Sequence, residues 1–212
     1  MTTIIFDFDG TIADTFETML TITNRLAHEF GYQPLTAADV QQLRQMSSRE
    51  IIRRSQISAF RIPALIRRIK RELQQEIHQL NLIDGMQEAL SILRQQDNRL
   101  GIVTSNSQDN VQAFLNTHQL LDCFDFIHSG TTIFGKARVI HKLLRRKNIL
   151  PHTVVYVGDE TRDIEAARKI PIKVVAVSWG FNSKEALIQQ NPDFLVDYPH
   201  DLIPVIAQLN RG

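Results

Sequence analysis

The segment Ile4-Ile5-Phe6-Asp7-Phe8-Asp9-Gly10-Thr11 decides how the rest of the chain is interpreted. Its apolar residues favour a buried β-strand, and Gly10 can take the positive φ angle with which a backbone leaves a strand. At positions i and i+2 of an extended chain, the carboxylates of Asp7 and Asp9 point to the same side. Two close carboxylates repel each other unless a metal ion or a shared proton lies between them. An Asp-x-Asp segment can also simply start a turn, and on these residues alone both interpretations stay open.

Length and composition set the outer limits. The 212 residues are 43% hydrophobic, which suffices for one full core and a substantial insertion. A single cysteine, Cys123, excludes an intramolecular disulfide and a cysteine metal site, and we interpret it as a packing residue in a reducing compartment. The sequence shows neither a stretch apolar enough to span a membrane nor a signal peptide. We therefore expect a cytoplasmic protein with no membrane partner.

Positive charge is concentrated in one segment. The chain has a net charge of +1, but residues 41–80 contain nine Arg or Lys and three Glu, a net charge of +6. Such a segment favours a small anionic ligand, or else forms a solvated helix face. Phe60 is its only aromatic residue, so it lacks a stacking platform for bases and we expect no nucleic-acid partner.

The stretch after the first strand carries the signals of four helices. Apolar spacing predicts a first helix over 15–30, ended by a glycine. Helix starts of the form Ser/Thr-x-x-acid occur at 36–39 and 47–50. Pro63 opens a fourth helix, in which an apolar stripe of about five turns extends to Leu80. Residues 15–81 are therefore predicted to form an all-helical domain inserted after the first strand.

From residue 82 onward, strands and helices alternate. Strands are predicted at 99–104, 126–129, 153–157, 173–178 and 194–197. Helices are predicted at 86–95, 109–118, 137–147 and 161–170. Alternation of this kind is typical of a parallel sheet with helices on both faces. The predicted fold class is α/β, with a Rossmann-like core domain formed by residues 1–14 and 82–212.

In an open parallel sheet, ligands bind outside the carboxyl ends of the strands. Several predicted strands end in polar side chains, and a lysine starts the helix after the third strand. These groups are Asp7, Asp9, Gly10 and Thr11; Thr104, Ser105 and Asn106; Asp159 and Asp163; and Lys136. The sequence therefore predicts one site that combines carboxylates, a hydroxyl and a cation at a single sheet edge.

In this order the residues resemble the four motifs of haloacid dehalogenase-superfamily phosphohydrolases. Asp-x-Asp-Gly-Thr is at 7–11, the strand-ending hydroxyl is Thr104, the lysine is Lys136, and Gly-Asp-x-x-x-Asp is at 158–163. The resemblance spans the whole chain. It is to the phosphoglycolate phosphatase-like branch, whose helical cap is inserted where residues 15–81 lie.

The resemblance implies a phosphatase with a covalent intermediate. Asp7 would be the nucleophile, and Asp9 the general acid that protonates the leaving alkoxide and then deprotonates water. The remaining residues implied to be catalytic or to bind substrate are Thr104, Lys136, Gly10, Thr11, Ser105 and Asn106. An octahedral Mg²⁺ would be bound by Asp7, the Asp9 backbone carbonyl and Asp159, with Asp163 orienting a metal-bound water and Glu160 as a further helper.

Three functions remain open on the sequence. The first is hydrolysis of a small phosphate monoester such as phosphoglycolate. The second is a related reaction of the same superfamily, catalysed by a phosphomutase or a pyrophosphatase. The third is binding without catalysis by a protein that keeps the fold. We expect a small phosphorylated substrate in the first two cases, and the residues favour no particular oligomeric state.

One cap residue is a candidate for substrate recognition. Residues 43–50 resemble the cap loop of related two-domain enzymes, although Gln45-Met46 stands where a glycine commonly occurs. Arg49 falls in the first turn of a predicted helix, where the helix dipole disfavours a cation. We therefore expect Arg49 to contact the non-reacting end of an anionic substrate, with Arg53 or Arg44 as the alternatives, or else to be a solvated arginine.

Overall fold

The structure is a computed structural model that describes residues 1–55, 57–58, 60–129 and 135–209. Six strands form one parallel sheet: β1 (Thr3–Phe6), β2 (Arg99–Val103), β3 (Phe126–His128), β4 (Val154–Gly158), β5 (Lys173–Val177) and β6 (Phe194–Val196). Their order across the sheet is β3-β2-β1-β4-β5-β6. The predicted parallel sheet is thus confirmed, and β1 lies between β2 and β4.

Helices occupy both sides of the sheet. The described part of the chain contains α1 (Phe16–Phe30), α2 (Ala37–Arg44), α3 (Ser48–Arg54), α4 (Ile62–Glu76), α5 (Met86–Gln95), α6 (Gln108–Thr117), α7 (Lys136–Arg146), α8 (Thr161–Lys169), α9 (Lys184–Gln189) and α10 (Leu202–Leu209). Helices α9 and α10 were not predicted from the sequence. The predicted fourth helix extends too far, because α4 ends at Glu76 and a 3₁₀ turn follows at Ile77–Gln79.

Local signals explain several helix ends. Gly31 ends α1 in the left-handed conformation, with φ at 77°. Thr36 starts α2 and Ser47 starts α3, and each hydroxyl accepts a hydrogen bond from the backbone N–H three residues on. The acids Asp39 and Glu50 accept in return from the backbone N–H groups of Thr36 and Ser47. Both are the predicted capping boxes, and a cap of this kind is worth about 1 kcal/mol.

The sheet has a hydrophobic core on each face. Ile4 and Phe6 point into one core together with apolar side chains of α5, α6 and α10, and Ile5 points into the other with those of α7, α8 and α9. The side chains of Ile4, Ile5 and Phe6 are all fully buried. Burying each such side chain stabilises the fold by about 1.5–3 kcal/mol. Two buried faces explain why β1 has three consecutive apolar residues, Ile4 to Phe6, instead of an alternating pattern.

The helical segment, residues 15–81, extends the first of these cores. Leu26 of α1 and Leu65 and Leu73 of α4 are buried and continuous with it. None of the helices in the described part of the chain has the length and hydrophobicity needed to span a bilayer.

Candidate active site

The predicted functional residues meet at the carboxyl edge of the three central strands. Asp7 directly follows β1, and its backbone N–H donates to Val157 O of β4 at 2.9 Å. Gly10, with φ at 72°, lets the chain turn there. A Cβ atom at Gly10 would lie 2.4 Å from Asp159 Oδ2. The loop after β1 can therefore come this close to Asp159 only because position 10 is a glycine.

Lys136, the first residue of α7, connects two of the carboxylates. Its Nζ atom lies 2.6 Å from Asp7 Oδ2 and 2.5 Å from Asp163 Oδ1. The side chain is 3% exposed. Burial alone would lower the pKa of Lys136, but the charges of Asp163 and Asp7 raise it well above its usual value. The site therefore contains a permanent positive charge in direct contact with the predicted nucleophile.

Three carboxylates converge beside this lysine. One oxygen from each of Asp7, Asp159 and Asp163 lies within 4.8 Å of the other two, and all three residues are buried. Burial raises the pKa of Asp159, and the charges of Glu160, Asp7 and Asp163 raise it further. Burial also raises the pKa of Asp163 to about 6, although Lys136 opposes that change. Such an oxygen-rich, mutually repelling set fits a hard divalent cation, whose charge would relieve the repulsion.

Neighbouring groups fix two of these carboxylates. Thr11 Oγ1 donates to Asp159 Oδ1 at 2.7 Å, and the Phe181 backbone N–H donates to Asp159 Oδ2 at 2.7 Å. The Glu160 backbone N–H donates to Asp163 Oδ2 at 3.1 Å. Protein donors therefore hold the Asp159 and Asp163 carboxylates in place.

Asp9 has different surroundings from Asp7. Strand β1 ends at Phe6, and a backbone turn follows in which Ile12 N donates to Phe8 O at 2.9 Å. The expectation that one extended segment continues through Asp9 is therefore wrong. Its carboxylate contacts Asn106 and lies outside the carboxylate cluster found among the described residues.

The environment of Asp9 changes its acidity. Burial, followed by the charge of Asp7, raises the pKa of Asp9 to about 7, although the hydrogen bond from Asn106 opposes the rise. A carboxyl group in this range can hold or release a proton near neutral pH, as a general acid and base must. The two carboxylates of the first motif thus have distinct chemical surroundings.

The loop after β2 supplies the remaining predicted groups. Thr104 is buried, its N–H donates to His128 O at 3.0 Å, and its hydroxyl accepts from Asn106 N at 3.0 Å. The backbone carbonyl of Ser105 accepts a hydrogen bond from Lys70 of α4. Thr104, Ser105 and Asn106 are therefore held next to the site by contacts from both the sheet and the helical segment.

The helical segment contacts the same sheet edge through α2, α3 and the loop between them. Asn182, after β5, donates to Arg44 O at 2.9 Å and to Met46 O at 3.0 Å. Ser48 Oγ donates to Glu160 Oε2 at 3.1 Å. Arg49 and Lys136 line the same small cavity, which has a volume of about 30 Å³. The structure thus brings Arg49 to the edge of the site.

Several residues that build this site were not predicted from the sequence. Lys70 and Asn182 connect segments that are distant along the chain, and no local pattern marks them. Arg162, which lies between Asp159 and Asp163 in the sequence, forms an ion pair with Glu160. The side chain of Trp179 donates to Thr11 O at 3.2 Å and so supports the loop after β1.

Comparisons with known proteins agree with this geometry. The family model described as haloacid dehalogenase-like hydrolase matches residues 4–177. The chain is 43% identical to a phosphoglycolate phosphatase of Synechococcus elongatus, over 100% of both proteins. It is 26% identical to pyrophosphatase PpaX of Bacillus thuringiensis, over 99% of this chain and 98% of that protein. A haloacid dehalogenase-like family hydrolase of Streptococcus pneumoniae has the same fold, with a TM-score of 0.78 at 22% identity over 97% and 98% of the two chains. The chain belongs to the haloacid dehalogenase-like hydrolase family.

Proposed function

We propose that this protein is a Mg²⁺-dependent phosphatase that hydrolyses 2-phosphoglycolate through an aspartyl-phosphate. The observation that carries the proposal is the contact of Lys136 with both Asp7 and Asp163, beside Asp159. A nucleophile, a fixed cation and a metal-binding set in one buried cluster are what phosphoryl transfer requires. The 43% identity to a phosphoglycolate phosphatase over the full chain supports the choice of substrate.

The reaction proceeds in two steps in this proposal. A carboxylate oxygen of Asp7 attacks phosphorus, the bond to the leaving oxygen breaks, and Asp9 gives that oxygen its proton, which releases glycolate. Water then attacks the phosphorus of the aspartyl-phosphate, and Asp9 takes up a proton from the water. The bond between phosphorus and the Asp7 oxygen breaks, which releases inorganic phosphate and restores the Asp7 carboxylate. Phe8 N donates to Asp7 Oδ1 at 2.8 Å and keeps the carboxylate oriented for attack.

The residues fit a magnesium site. Asp7 and Asp159 would bind the ion together with the backbone carbonyl of Asp9, and Asp163 would orient a bound water. When bound, the ion supplies positive charge that neutralises the phosphoryl oxygens. Lys136 and Thr104 supply fixed donors for the same oxygens, and Gly10, Thr11, Ser105 and Asn106 complete the phosphoryl site.

We further propose that residues 15–81 act as a cap over a core formed by 1–14 and 82–212. The hydrogen bonds from Asn182 to Arg44 and Met46, and from Ser48 to Glu160, fit a cap that rests on the core's catalytic edge. Arg49, in this arrangement, contacts the substrate from the cap. We also propose a cytoplasmic location, since a single, partly buried cysteine suits a reducing compartment.

A pyrophosphatase activity is the second candidate, because PpaX covers nearly the whole chain at 26% identity. The test is to measure phosphate release by the purified protein with Mg²⁺ from 2-phosphoglycolate, pyrophosphate, glucose 1-phosphate and AMP. We expect the highest kcat/KM for 2-phosphoglycolate. Preference for pyrophosphate would replace the proposed substrate, and isomerisation of glucose 1-phosphate without phosphate release would indicate a mutase.

A further inference from the structure

Lys70 is a cation of the helical segment that reaches the catalytic edge of the sheet. It lies in the last half of α4, and its ammonium group donates to Ser105 O in the loop after β2. Asn110 of α6 donates in return to Lys70 O at 3.3 Å. Two hydrogen bonds therefore fix this lysine against the loop that carries Thr104, Ser105 and Asn106.

The ammonium group lies on the Asp9 side of the site. Partial burial lowers the pKa of Lys70, and the charge of the Asp9 carboxylate opposes that change. Asn106, the residue after Ser105, donates to Asp9 Oδ1 at 2.9 Å. The ammonium group has three N–H bonds, and one of them donates to Ser105 O. The others can donate to a ligand.

Arg162, in the first turn of α8, is a second cation of the site. The charge of Arg162 acts on both Asp9 and Lys70. Arg162 binds Glu160 through Nη2, while its buried Nε has no hydrogen-bond partner in the part of the chain that the structure describes. The Lys70 ammonium, held on the loop whose Asn106 contacts Asp9, favours an anion on that side of the site.

We propose that Lys70 determines specificity by binding the carboxylate of the substrate's leaving group. This inference rests on the proposed hydrolysis of phosphoglycolate. If Asp9 protonates the leaving oxygen, the group attached to that oxygen lies next to Asp9, on the side where Lys70 is fixed. In phosphoglycolate one methylene separates the leaving oxygen from the carboxylate carbon, so the anion stays close to Asp9.

Two substrates and four variants test this inference. The substrates are 2-phosphoglycolate and 2-hydroxyethyl phosphate, which has a hydroxyl in place of the carboxylate. Lys70→Gln removes the charge but keeps an N–H donor for Ser105 O, Lys70→Met removes both, and Lys70→Arg keeps a cation. Arg67→Gln is the matched control, because Arg67 is an exposed cation of the same helix.

We expect Lys70→Gln to lower kcat/KM for 2-phosphoglycolate by about 10- to 100-fold, the usual range for a hydrogen bond to a charged group. Its effect on 2-hydroxyethyl phosphate stays below about 3-fold, Lys70→Arg restores part of the preference, and Arg67→Gln changes neither substrate.

Other outcomes overturn the assignment of Lys70. Equal losses on both substrates, or a loss in Lys70→Met with none in Lys70→Gln, would make the lysine a structural connection to Ser105. A wild-type preference for 2-phosphoglycolate that survives in Lys70→Gln would also reject it, with the proposed function intact. A wild-type enzyme without that preference would reject both the substrate and the role of Lys70.

Discussion

The side-chain amide of Asn106 donates to both carboxylate oxygens of Asp9, at 2.9 and 3.2 Å. The carbonyl of the same amide accepts from Ser107 N at 2.8 Å and from Asn110 Nδ2 at 2.9 Å. These two donors determine which way the amide faces. Asn106 therefore presents its N–H bonds to Asp9. The orientation of Asp9, the proposed general acid, thus depends on a residue of the loop after β2.

We predict that Asn106→Ala lowers kcat by about 10-fold or more, because a hydrogen bond to a charged group is worth about 1.5–3 kcal/mol. Steady-state kinetics on 2-phosphoglycolate measures the change. Asn116→Ala, an exposed position of α6, is the control and should keep full activity. Unchanged kcat in Asn106→Ala would show that Asp9 is oriented by other groups.

Replacement of Asp7 and replacement of Asp9 should have different effects on turnover. Asp7→Asn should abolish turnover, because an amide cannot form the aspartyl-phosphate. Asp9→Asn should lower kcat by about 10²–10⁴-fold, the usual contribution of a general acid, and let the phospho-enzyme accumulate. Acid-quench trapping of labelled protein detects that intermediate. Asp14→Asn, which removes an exposed carboxylate nearby, is the control and should behave as wild type. Normal turnover in folded Asp7→Asn would rule out the covalent mechanism.

Metal removal should stop the reaction and alter stability. EDTA should abolish activity and Mg²⁺ restore it, whereas Ca²⁺ should inhibit, since its looser coordination misplaces Asp7. Because a ligand of the folded state stabilises it, Mg²⁺ should also raise the melting temperature of the wild type. Asp159→Asn should lose most of that shift, and the exposed Asp122→Asn should retain it. Equal shifts in all three proteins would place the metal elsewhere.

Arg49 should contribute to recognition from the cap. We predict that Arg49→Ala lowers kcat/KM for 2-phosphoglycolate by about 1.5–3 kcal/mol, again the range for a hydrogen bond to a charged group. The effect on p-nitrophenyl phosphate, which has no second anionic group, should be small. Equal losses on both substrates would point to a misplaced cap, and no loss on either would make Arg49 a surface residue.

Asn182 should connect the cap to the core. Its side chain donates to Arg44 O and Met46 O and accepts from Thr161 N at 2.9 Å, all in a buried position. Asn182→Ala leaves these groups without partners and should destabilise the protein by about 1–3 kcal/mol. Thermal unfolding should show a melting temperature lower by ~2–4 °C for each kcal/mol. The exposed Gln189→Ala is the control, and an equal melting temperature in both variants would contradict this role.

The sequence predicted those features that local chemistry determines. The capping boxes at Thr36 and Ser47, the apolar residues of β1 and each single motif depend on residues a few positions apart. These local patterns, together with the rule for parallel sheets, sufficed to assign the predicted site to one sheet edge.

Contacts between distant segments could not be predicted in this way. Nothing near Lys70 in the sequence indicates that it reaches Ser105, because the contact depends on how α4 packs against the sheet. The turn at Asp9 was missed for a similar reason: the apolar pattern does not show where pairing with neighbouring strands stops. Helix α9 has six residues, too few to show a clear apolar period.

The position of β1 in the middle of the sheet has a consequence for the order of assembly during synthesis. Thr3 pairs with Val154, so the partner of the first strand leaves the ribosome only after most of the chain has been made. Until then the β1 edge that faces β4 has no strand partner, and Asp7 lacks Asp159 and Asp163. Pairing across such a long loop is slow compared with local helix formation. The nascent chain is thus unable to catalyse phosphoryl transfer until β4 has docked beside β1.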